Sequence, residues 1–210
     1  MLRGMNVLSI TLGPLLLFCL VASITPGPNN LLLMRSGAMF GIRRSAGHML
    51  GIQLGCVGLL LLCYLGIGAV LVALPAAFTL LHWACFAYLL WLAWAILRDG
   101  RAPRRAEQAA AGPAGRPMHW YESTLFQLIN PKAWMMAITI TSAFYGASAP
   151  QGADVAVAAL AWVAVGTPSM LVWTLWGASI DKVLRRPRER QVYACTMSLA
   201  VAVTAVWMLR

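Results

Sequence analysis

The sequence predicts an all-α membrane protein of six transmembrane helices, arranged as two inverted three-helix repeats. Three observations predict it. First, 60% of the 210 residues are hydrophobic and only 10% are charged, against about 25% charged in an ordinary soluble domain. Second, the stretches 4–34, 45–97, 133–153, 155–180 and 191–209 contain no Asp, Glu, Lys or Arg. A helix needs about 20 apolar residues to cross the hydrocarbon core. Third, these runs are continuous rather than alternating, and too long for barrel strands of about 10 residues. A soluble enzyme, a free nucleic-acid-binding domain and a disordered tail are excluded by the same arithmetic.

The elements follow in order. The first run gives a helix over 6–33. Arg3, the apolar run from Val7 and the small residues Val21-Ala22-Ser23 loosely resemble a cleaved signal. The apolar character resumes at Leu31-Leu32-Leu33-Met34, so a retained, interrupted helix is the better reading. The run 45–97 holds two helices, 47–73 and 77–97, divided at Leu74-Pro75, where proline cannot continue a helix. The remaining helices fall at 123–146, 155–180 and 191–209. The chain then divides into a three-helix half over 1–98, a linker over 99–118 rich in Ala, Gly, Pro and Arg, and a second half over 119–210. With three crossings each, the halves start from opposite sides, the inverted design common in secondary transporters.

The charges orient the bundle. Of 16 basic residues, 13 fall in three loops: Arg35, Arg43 and Arg44; Arg98, Arg101, Arg104, Arg105 and Arg116; and Lys182, Arg185, Arg186, Arg188 and Arg190. The positive-inside bias places these loops in the cytoplasm and both termini outside. The net charge of +10 needs no nucleic acid. Juxtamembrane arginines meet anionic headgroups of the lipid bilayer at roughly 1 kcal/mol each.

Two polar clusters interrupt apolar helices. Thr25-Pro26-Gly27-Pro28-Asn29-Asn30 lies in the first helix of half one, and Asn130-Pro131-Lys132 in the first helix of half two. Prolines 26 and 28 remove two backbone donors, and Gly27 permits unusual dihedrals. The carbonyls so freed must be met by protein or line a water-filled cavity. Paired interruptions at matching places in two halves point to a transport site; two simple kinks are the alternative. Lys132 costs about 2.5–3.5 kcal/mol within a span. It either faces a cavity, where it suits a carboxylate, or snorkels to an interface. Glu122 is a possible partner, though it is expected at the membrane surface.

Other candidates have plainer readings. Gly47, Gly51 and Gly55 recur at intervals of four, a face for close helix packing, or for gating. Dimerisation through such a face stays open. His48 could titrate in a proton-coupled cycle, but its place at a helix end favours a surface role. Thr167 and Pro168, with Ser169, mark a kink that the hydroxyls compensate locally, or a cavity lining. Trp83, Trp120 and Trp207 are read as anchors where spans meet loops. The five cysteines, Cys19, Cys56, Cys63, Cys85 and Cys195, form no CxxC pair and are read as small packing residues, so no metal or other cofactor is expected.

Thr25-Pro26-Gly27-Pro28-Asn29, followed by Gly41, Arg43, Arg44, Ala46-Gly47, Gly51 and Gly55, resembles the N-terminal signature of the LysE/RhtB family of amino-acid exporters. Leu128-Ile129-Asn130-Pro131-Lys132-Ala133 resembles its second signature. The chain departs from the pattern at Cys56, where many members carry an acid. The resemblance implies a bacterial inner-membrane exporter of amino acids or close derivatives, driven by the proton-motive force or exchange, with both motifs at the central site. No acid falls within a span, which favours a neutral amino acid as substrate. A channel or structural subunit is the competing reading. A thiol–disulfide enzyme is weaker, since no cysteine adjoins either break, and no hydrolase-like constellation occurs.

Overall fold

The computed structural model describes residues 2–99, 116–144, 152–183 and 187–207. Eight helices make up the described chain: α1 (Leu2–Ile24), α2 (Pro28–Tyr64), α3 (Ile67–Ala73), α4 (Pro75–Asp99), α5 (Trp120–Ile129), α6 (Pro131–Ala143), α7 (Gly152–Val183) and α8 (Pro187–Trp207). No strand occurs among the described residues. Among the described residues, three stretches are long and apolar enough to cross a membrane: Pro28–Tyr64, Pro75–Arg98 and Gly152–Ile180. Leu12–Ile24 and Gln191–Trp207 are shorter apolar helices.

The first expected span, 6–33, is divided. α1 stops at Ile24 and α2 starts at Pro28, so the Pro-Gly-Pro cluster breaks the helix rather than bending it. The loop expected after residue 33 is largely helical instead. Its reversal is made by one residue, Gly41, at φ 75° and ψ 173°. This left-handed-side backbone is open to glycine and strained for other residues. In a straight helix, residues nine apart are separated by about 13 Å. Here the Ser36 and Ser45 hydroxyls, nine residues apart, are 2.7 Å apart. α2 therefore folds back on itself at Gly41, and exposed Arg43 and Arg44 sit at the apex. The second expected span, 47–73, is also interrupted, by a turn at Leu65-Gly66 between α2 and α3.

α2 is the centre of the bundle, packing most extensively on α7 and then on α5, while α4 pairs with α8. The contact with α7 is set by two glycines that sequence periodicity did not single out. A Cβ on Gly37 would fall on the Thr174 carbonyl, and one on Gly177 would fall on the Met34 carbonyl. The backbones touch because neither helix has a side chain there. Of the glycines at intervals of four, Gly51 and Gly55 do pack this way, against Trp120 and Gln127 of α5. Gly47 does not: a Cβ there would meet nothing within 4 Å. Gly51 already meets Trp120, the first residue of α5, and Gly47 lies one turn before it.

Cys19, Cys56, Cys63 and Cys85 are buried, while Cys195 is exposed, and all five thiols are free. Trp83, Trp120 and Trp207 are each more than half exposed, as residues at a lipid-facing rim would be. Most of the expected linker, with Arg101, Arg104 and Arg105, lies outside the described residues, as do Arg185, Arg186 and Arg210.

Candidate functional site

Each break frees specific carbonyls, and several of them have an identifiable donor. Pro26 has no N–H for Ala22, and the Thr25 hydroxyl donates to that carbonyl at 3.0 Å. Pro28 has none for Ile24, and the Trp173 indole donates there at 3.2 Å. Asn30 Nδ2 reaches back to the carbonyls of Ser23 and Thr25, at 2.8 and 2.7 Å. At the second break, Asn130 N donates to Gln127 at 3.1 Å. The Trp134 indole covers the Leu128 carbonyl at 2.9 Å. Backbone groups in an apolar surround must be satisfied in this way. Both indoles are buried, unlike the rim tryptophans. Nothing in their spacing distinguishes them, so only the fold reveals their role.

The two breaks meet. Lys132 Nζ, in the first turn of α6, donates to the Thr25 carbonyl at 2.9 Å, the Thr25 hydroxyl at 3.0 Å and the Pro26 carbonyl at 3.2 Å. These three acceptors match the three protons of the ammonium. Glu122 is not its partner. That carboxylate grips Arg116 through both oxygens, at 2.7 and 2.6 Å, and accepts from His119 N at 2.8 Å. The Arg116 guanidinium holds Glu122, which precedes the span, down to about 2 from 4.5.

Gly27 owes its place to Lys132. Its backbone is fully extended, with φ −177°, so unusual dihedrals are not the reason for a glycine. A Cβ there would come within 2.9 Å of Lys132 Cδ and Nζ. The missing side chain gives the lysine its path.

A second link joins the breaks. Asn29 Nδ2 donates to Gln127 Oε1 at 2.9 Å, and Gln127 Nε2 donates to Asn29 Oδ1 at 3.1 Å. Asn130 Nδ2 also donates to Gln127 Oε1, at 3.1 Å. Gln127 is fully buried, and the sequence reading missed it. A lone glutamine in an apolar helix, close before Asn-Pro, was its only available signal.

Between the breaks lies a cavity of about 50 Å³. Gly27, Pro28, Asn29, Asn30, Asn130 and Lys132 line it, together with Ser23, Gln53 and Cys56. Trp162, Gly166 and Met170 of α7 close it. No Asp or Glu is among its lining residues. Thr25, Pro26 and Pro131 stand beside it, the first two joined to Lys132 and the third buried at the start of α6.

Other expected residues lie elsewhere. The Thr167 hydroxyl accepts Gln53 Nε2 at 2.8 Å. Ser169 donates to the Val165 carbonyl at 3.1 Å. Pro168 is exposed. His48 is buried, not at the surface. It lines a separate groove of about 640 Å³ with Arg35, Tyr88, Arg98, Arg116 and Glu122.

The sequence profile of LysE type translocators matches residues 20–209, and so includes both breaks. The chain belongs to the LysE type translocator family. It is therefore a membrane translocator rather than an enzyme. Among relatives of this LysE type chain are the cysteine/O-acetylserine efflux proteins of Escherichia coli strain K12 and of Shigella flexneri. Each is 32% identical over 178 residues, covering 80% of this chain and 83% of the relative. The protein of the same description from Escherichia coli O139:H28 matches equally. No solved structure matches the chain.

Proposed function

We propose that this translocator exports small neutral amino acids, of the cysteine and O-acetylserine kind, from the cytoplasm across the bacterial inner membrane. The observation that carries the reading is the clasp between Lys132 and the Thr25-Pro26 carbonyls. It joins discontinuous helices of two halves around a cavity that carries asparagine, glutamine and lysine side chains, the arrangement in which transporters hold substrate. The cavity's lack of acids favours a neutral substrate. A cationic side chain enclosed there would have no carboxylate to offset its desolvation. The relatives, cysteine/O-acetylserine efflux proteins, agree with this reading.

In this reading α1 with the first arm of α2 forms one crossing and the second arm forms another. α5 with α6 is a third broken crossing, and with α4, α7 and α8 the count is six, in two inverted halves. The basic loops face the cytoplasm. Transport is by alternating access, with proton-motive force or exchange as the drive. A carboxylate entering the cavity competes with Thr25 and Pro26 for Lys132, which loosens the clasp and lets the halves rock. His48 is the titratable group available for proton coupling.

Efflux from loaded proteoliposomes tests this. Labelled cysteine and O-acetylserine should leave saturably, faster with an imposed pH gradient, and show counterflow, while lysine stays. Selective lysine export, or non-saturating flux without counterflow, overturns the reading.

A further inference from the structure

Two oxygens on residues that line the cavity are buried and have no hydrogen-bond donor: Gln53 Oε1 and Asn130 Oδ1. Buried acceptors are almost always paired, so both require an explanation. An amide turned the wrong way round is the first to consider, and the neighbouring carbonyls exclude it. Gln127 lies 2.9 Å from the main-chain oxygen of Ser123, which can only accept. That places Gln127 Nε2 toward Ser123 and Gln127 Oε1 on the opposite side. Gln127 Oε1 then needs donors, so Asn130 presents Nδ2 to it. Asn130 Oδ1 is the atom left over. Gln53 is fixed in the same way. Its nitrogen lies 2.8 Å from the Thr167 hydroxyl and 3.4 Å from the Val163 carbonyl, and a carbonyl cannot donate. Gln53 Oε1 is left over too.

Lys132 does not fill the gap, because its three protons are engaged by Thr25 and Pro26. The cavity lining therefore carries two unpartnered acceptors and no acid. A primary ammonium suits this chemistry: it carries several N–H donors on one small atom. We infer that Gln53 Oε1 and Asn130 Oδ1 form a subsite for the substrate's α-ammonium group, with the substrate's carboxylate directed toward Lys132. This rests on the export reading above and adds the recognition of a free amine. Neutral oxygens hold the ammonium without the permanent charge that would also admit a cationic side chain.

O-Acetyl-L-serine and N-acetyl-L-serine are isomers that differ in whether the amine is free, which makes them suitable probes. Binding of each to the purified full-length chain is read from the ligand-induced shift in thermal unfolding. Measurements are made below neutral pH, where acyl migration between the isomers is slow. Uptake into proteoliposomes is measured in parallel. The free-amine isomer should bind and the N-acetyl isomer should not. Gln53→Met should weaken binding of the free amine about tenfold or more, the size expected for a hydrogen bond to a charged group. Gln53→Glu, which keeps an acceptor, should retain it. The subsite is overturned if the isomers bind alike, if neither binds, if Gln53→Met leaves affinity unchanged, or if Gln53→Met and Gln53→Glu weaken it equally. Binding of the free amine with no transport by the wild-type chain would instead overturn the export reading and leave the subsite standing.

Discussion

Lys132 and Thr25 are 107 residues apart, yet the lysine ammonium donates to both the carbonyl and the hydroxyl of the threonine. The contact holds one broken helix against the other. Replacing Lys132 with Ala should lower transport at least tenfold while the protein still inserts. Lys132→Arg should not restore it, because a planar guanidinium cannot place three donors around one point. Transport at the wild-type rate by Lys132→Ala, with equal protein in the membrane, would make the clasp a bystander.

Gly27→Ala tests the same clasp without removing charge. The extended backbone accepts alanine. The new Cβ displaces only the end of a flexible side chain, Lys132. Thermal stability should change little, and the apparent KM or rate of export should worsen severalfold. A large loss of stability with kinetics intact would contradict this assignment.

Gly47 and Gly51 share a spacing but not an environment. Gly51→Ala drives a methyl into the Trp120 carbonyl of α5, and overpacking of this kind costs about 1–3 kcal/mol. Gly47→Ala meets open space and gains up to about 1 kcal/mol of helix propensity. Unfolding temperatures in detergent should therefore move in opposite directions for the two variants.

Gln127→Leu removes the centre of an amide network. It leaves the Asn29 amide, Asn130 Nδ2 and the Ser123 carbonyl without that partner. Each buried polar group so orphaned costs about 1–3 kcal/mol. The variant should be markedly less stable than Leu substitutions at exposed positions such as Met135, which is 54% exposed. Equal melting temperatures would show the network to be idle.

Glu122 gives a pH dependence of defined sign. Its carboxyl is held down to about 2 in the fold, against 4.5 in the free side chain. The stabilisation from Arg116 is therefore complete above pH 4.5 and is lost as the pH falls toward 2. The pair is partly exposed, 37% and 28%, so the effect is small. Glu122→Gln should flatten the dependence of melting temperature on pH in that window. An unchanged slope would assign the acid sensitivity to other carboxylates.

The sequence by itself determined the all-helical membrane class and the two places where helices break. Both are local properties. Charge-free runs of span length have few other solutions in water or lipid, and proline removes its N–H wherever it stands. Glycine at 41 and the flanking arginines were legible as a turn region, though not as a reversal made at one residue. Only the tertiary structure decided what meets the carbonyls that the prolines free: Asn30, Trp134, Trp173 and Lys132 do so. It also singled out Gln53 and Gln127, left Gly47 short of the helix that Gly51 touches, and buried His48. A broken hydrogen bond is encoded by the residue that breaks it. Thr25 replaces one donor locally, but Asn30, Trp134, Trp173 and Lys132 reach in from another helix, and which donor arrives depends on how the whole bundle packs.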